Sequence, residues 1–154
     1  MLNQCAAFLT ENLVLDLAVV AWFIAQVLKV LINLVVHRKM DIQLLISSGG
    51  MPSSHSALVC ACAVTIGRLD GFSSTAFALA AVLAMVVMYD ACNVRRAAGE
   101  QAKVLNYIVE HWVEMSPAMV GEELKELLGH TPLQVLMGSL LGIAVGWFGV
   151  ELCI

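Results

Sequence analysis

Two histidines, a lysine and an arginine pair stand out in an otherwise apolar chain. His55 closes Gly49-Gly50-Met51-Pro52-Ser53-Ser54-His55, a small turn-prone island between apolar runs, and His130 opens His130-Thr131-Pro132. Glycine permits unusual backbone angles, proline suits a first helical turn, and Ser53, Ser54 or Thr131 can cap the N–H groups that a helix start leaves unpaired. Each histidine is therefore expected at a helix start. Imidazole changes charge near neutral pH, so two such rings can divide a phosphoryl transfer, one attacking phosphorus and one protonating the leaving oxygen. Helix N-termini carry partial positive charge, and with Lys29, Arg95 and Arg96 they make a site suited to a phosphate. Taken singly, each residue has a plainer use: a capping histidine, arginines that set topology, a lysine that snorkels to an interface. His37 and His111 keep that plainer reading.

The elements that must bring these residues together are apolar helices. Leu13 to Val36 is long enough to cross a bilayer, and Gln26, Lys29 and Asn33 share one of its faces. Lys29 lies about two turns inside the helix end and is a functional candidate, because a charge in lipid is costly. A second helix from Ser54 to about Leu69 barely spans, a third runs from Phe72 to Val94, and a fourth from Pro132 to about Cys153. Glu100 to about Met115 has an amphipathic pattern and Gly121 to Leu128 is short and acidic, so both are expected at the interface. The expected class is an all-α integral membrane protein, a single domain over 1–154 with about four spans. Gly138, Gly142 and Gly146 form a small-residue ridge on the last span, suited to close packing within the chain or in a homodimer.

Composition agrees. Hydrophobic residues make up 60% of the chain and charged residues 13%, with a mean hydropathy of +0.88, far from the balance of soluble domains. The net charge of -4, without a basic run, excludes nucleic acid as a partner. Cys5, Cys60, Cys62, Cys92 and Cys153 show neither zinc spacing nor a disulfide framework, and no metal or cofactor is expected. The first residues lack the pattern of a cleaved signal peptide, so Met1 is expected to be retained. Alternating spans put all the unusual polar residues on one face. Arg38, Lys39, Arg95, Arg96, Lys103 and Lys125 lie there too and Arg68 opposite, which makes that face cytoplasmic.

Pro52-Ser53-Ser54-His55 resembles the Pro-Ser-Gly-His motif of the type 2 phosphatidic acid phosphatase superfamily, with Ser54 in place of glycine. Gly129-His130-Thr131-Pro132-Leu133-Gln134 resembles the segment around that family's second histidine. The stretch Tyr89-Asp90-Ala91-Cys92-Asn93-Val94-Arg95-Arg96 through Gln101 is similar to the divergent branch, a resemblance that covers nearly the whole chain. It implies a phosphatase acting on a phosphorylated lipid, with His130 as the nucleophile and His55 as the acid. It also implies that Lys29, Arg95, Arg96, Ser53 and Ser54 bind phosphate, with Asp90, Gln101 and Gln134 in support. Beyond Ser54, three features depart from the superfamily pattern, the first being that no Arg-Pro pair follows Lys29. Leu124 replaces the arginine six residues before the second histidine, so Arg95 or Arg96 takes its role, and Gln134 replaces a carboxylate. The competing expectation is a non-catalytic protein that binds or moves a lipid phosphate in the same pocket. The expected location is a bacterial plasma membrane.

Overall fold

In the computed structural model, which describes residues 10–38, 50–111 and 129–154, every regular element is a helix. Helix α1 (Leu13–His37) is capped by Asn12, whose side chain accepts from the Leu15 N–H at 3.2 Å, and ends on Arg38 in the left-handed region at φ 52. Helix α2 (Ser54–Asp70) begins at its Ser53 cap, and α3 (Thr75–Tyr89) at Ser74, which accepts from the Phe77 N–H at 3.1 Å. A π segment, Asp90–Val94, joins α3 without a break to α4 (Arg95–His111). The amphipathic helix expected from Glu100 thus starts at Arg95, because the wider π turn carries the helical path past Asp90 instead of ending it. Helix α5 (Pro132–Cys153) opens on a Thr131 capping box. The expected features over 112–128, and the connection over 39–49, lie outside the described residues.

Three helical stretches, Leu13–Val36, Thr75–Ile108 and Pro132–Cys153, are long and apolar enough to cross a membrane. Helix α2, with 17 residues and a length of about 25 Å, is the central one and packs on α1, α3 and α5. Its position explains its composition. Ser54, Ser56, Thr65 and Gly67 are buried against neighbouring helices, whereas large apolar side chains such as Phe23, Leu79, Leu83, Val86 and Phe148 point outward. Small residues form the core, with Ala21, Ala25, Ala57 and Ala61 packed under Leu141 and Val145. A water-soluble protein would bury the larger set, so this inversion is the signature of a chain solvated by lipid.

The glycine ridge of α5 faces α2 of the same chain. A Cβ at Gly138 would overlap the Ser53 carbonyl oxygen, one at Gly142 the Ala57 oxygen, and one at Gly146 would stand 2.8 Å from the Ala61 oxygen. Helices α2 and α5 therefore run parallel at backbone contact, with their N-termini side by side. Gly142→Leu is expected to cost about 3 kcal/mol or more, seen as a lowered melting temperature in detergent. Ile143→Leu, on an outward position, should leave it unchanged.

At the far ends of these helices the Arg68 guanidinium sits 4.4 Å above the Trp147 ring, which stacks on Phe72 at 6.5 Å. Aromatic and cationic side chains of this kind suit a membrane boundary. An apolar cleft of about 440 Å³ also lies at that end, walled by Leu17, Val145 and Phe148. It is remote from the histidines.

Candidate functional site

The polar residues converge at the opposite end, where α1 finishes and α2, α4 and α5 begin. Lys29 is 2% exposed, and its Nζ donates to Ser54 Oγ at 3.2 Å. The ammonium thus turns into the bundle, not out to the interface. Gly50, at φ 93, lies against the lysine stem, where a Cβ would stand 3.7 Å from Cδ. Ser54 is the residue that departs from the superfamily glycine, and its hydroxyl accepts from the Lys29 ammonium. Ser53 does framework work. Its Oγ accepts from the Ser56 N–H at 3.4 Å and the Ser56 hydroxyl at 3.0 Å, while its own N–H donates to the Gln134 carbonyl at 2.9 Å. That last bond ties the start of α2 to the first turn of α5.

His130 is 2% exposed and is held from two sides. Its backbone N–H donates to the Ala91 carbonyl at 3.1 Å, inside the π segment. The ring Nδ1 lies 3.2 Å from Gln134 Oε1, and the same oxygen accepts from the Thr131 N–H at 3.0 Å. Gly129 abuts the Arg96 backbone so closely that a Cβ would overlap it. The second histidine is therefore fixed to the α3–α4 junction as well as to α5.

The two histidine rings lie with centroids 6.4 Å apart, tilted by 58°. His55 is half-buried, more open than His130. Asp90 is half-buried at the start of the π segment, Arg96 and Gln101 are exposed on α4, and the Arg95 backbone begins that helix. The fold thus joins Lys29 to Ser54, His55 to His130 and His130 to Gln134, whereas Arg96 reaches the site's neighbourhood through its backbone. Sequence reasoning missed the Ala91 carbonyl, which no side chain announces. The Thr131 cap is as expected, but the reciprocal half of the box from Gln134 was missed, although Thr131-Pro132-Leu133-Gln134 announces it. Asp16, 1% exposed in the first turn of α1 and bonded to the Thr10 hydroxyl at 2.7 Å, lies at the other end of the bundle.

The model of the Divergent PAP2 family matches residues 10–145. The chain belongs to the divergent PAP2 family. It is also 41% identical over 145 residues to the uncharacterized membrane protein YuiD of Bacillus subtilis (strain 168), covering 88% of this chain and 92% of the relative. No solved structure matches it. With the outward apolar helices, these likenesses make this divergent PAP2 protein an integral membrane protein.

Proposed function

We propose that this protein is a lipid phosphate phosphatase that works through a phosphohistidine at the cytoplasmic face of a bacterial plasma membrane. The observation that carries the reading is the His55–His130 pair, 6.4 Å apart, at the junction that also holds the buried Lys29 on Ser54. The His130 lone pair attacks phosphorus and forms the N–P bond as the P–O bond to the lipid breaks. His55 gives its proton to the departing oxygen. Water, deprotonated by His55, then cleaves the N–P bond and releases inorganic phosphate. Lys29, Arg95, Arg96 and the helix starts at Ser53-Ser54 and Thr131 offset the negative charge on the transferring group. Asp90 and Gln101 support the arginines, and Gln134 orients His130.

The test is phosphate release by purified protein from phosphatidic acid, phosphatidylglycerol phosphate and a polyprenyl diphosphate, against His130→Ala. Equal release by both proteins would sink the mechanism. His55→Asn separates the acid from the nucleophile. An alkoxide leaves badly without a proton and a phosphate leaves well, so this variant should lose on the order of 10²–10⁴-fold on phosphatidic acid and less on the diphosphate.

A second reading, a binder or carrier of lipid phosphates, draws on the neutral Gln134 beside His130. An amide cannot offset the charge of an imidazolium as a carboxylate does. Lipid binding that survives His130→Ala, without turnover of any of the three esters, would favour it.

A further inference from the structure

We infer that the α5 helix cap, acting through Gln134, fixes His130 as the Nδ1–H tautomer and so leaves the ring lone pair on Nε2. A backbone N–H can only donate. The Thr131 backbone N–H lies 3.0 Å from the end of the Gln134 side chain, so the atom facing it is the amide oxygen and not the amide nitrogen. That oxygen also lies 3.2 Å from His130 Nδ1. A carbonyl oxygen has two lone pairs and only accepts, so Nδ1 must carry the hydrogen. An unprotonated Nδ1 would set two acceptors against each other at hydrogen-bond distance. The backbone on both sides of the ring is pinned, by the Ala91 carbonyl at His130 and by the cap at Thr131, so the ring cannot escape the amide by a small shift.

Thr131 and Gln134 are then positioning residues. The box that starts the helix also selects which ring nitrogen is nucleophilic, and it does so without adding negative charge to a pocket that would receive an anion. The use of the Nε2 lone pair in attack rests on the phosphatase reading. The tautomer does not.

Nitrogen-15 spectra of the histidine rings in detergent, at about pH 8.5, two units above an ordinary histidine pKa, report the tautomer directly. The His130 signal is assigned by its loss in His130→Gln. Wild type, Gln134→Glu and Thr131→Ala, which keep an acceptor and the Thr131 position's N–H, should show a ring protonated at Nδ1. Gln134→Ala should shift it to a mixture of tautomers. Thr131→Pro should do the same, since the position's φ of -71 admits proline and the substitution removes the N–H that fixes the amide oxygen, Thr131→Ala being the control for the lost hydroxyl. A wild-type ring protonated at Nε2, or a Gln134→Ala ring that keeps the wild-type pattern, overturns the inference. If Thr131→Pro does not fold, Gln134→Ala carries the comparison alone. A ring protonated at Nδ1 in a protein that releases no phosphate would overturn the phosphatase reading and leave the tautomer standing.

Discussion

His130→Ala is expected to reduce phosphate release from a lipid phosphate on the order of 10⁴-fold or more, the scale on which removal of a covalent nucleophile is felt. The fold should survive. The bond that fixes the segment runs from the backbone N–H of His130 to the Ala91 carbonyl, and alanine keeps it. The capping box runs between Thr131 and Gln134, and alanine leaves it intact. What is lost is the buried ring, so a modest fall in melting temperature is expected beside a near-complete loss of turnover. Release and melting temperature measured on the same preparation distinguish this from simple unfolding, in which both would collapse together.

Lys29→Met should move stability and activity in opposite directions. Methionine approximates the lysine stem, which packs beside Gly50, and removes an ammonium that is 2% exposed inside the bundle. Burying that charge costs free energy, and the hydrogen bond to Ser54 is among the contacts that offset it. The melting temperature should therefore hold or rise. The value of kcat/KM should fall on the order of 10²–10³-fold, because a cation preorganised beside a transferring phosphoryl group acts most strongly where water is excluded. Lys29→Arg should not rescue it, since a larger, planar guanidinium at this buried position cannot reproduce the point-like donor of an ammonium. A lysine serving only as an interfacial anchor would give unchanged turnover in both variants.

Much of this arrangement was legible in the residues. The apolar runs, the prolines at 52 and 132 and the caps at Ser53 and Thr131 mark helix starts by local chemistry, and alternation of direction then brings both starts to one end. Lys29 stood out because a charge within an apolar run is expensive wherever it faces. Its partner was not legible, since Ser54 lies in another helix and only packing decides which hydroxyl meets the ammonium. The glycine ridge announced close contact but not its partner, which is the Ser53, Ala57 and Ala61 backbone of α2. The π segment left no trace at all. Widening a helix by one residue over a turn changes hydrogen bonding without changing the apolar pattern, so Asp90 to Val94 read as the end of a span. The carbonyl it turns toward His130 could be found only in three dimensions.

The most direct measurement is covalent trapping. Wild-type protein is mixed briefly with a lipid phosphate carrying a radiolabelled phosphoryl group, denatured in alkali, where phosphohistidine persists, and cleaved into peptides. The account predicts an acid-labile label on the peptide containing His130, absent in His130→Gln. Continued release of phosphate by wild-type protein with His130 never labelled would contradict it.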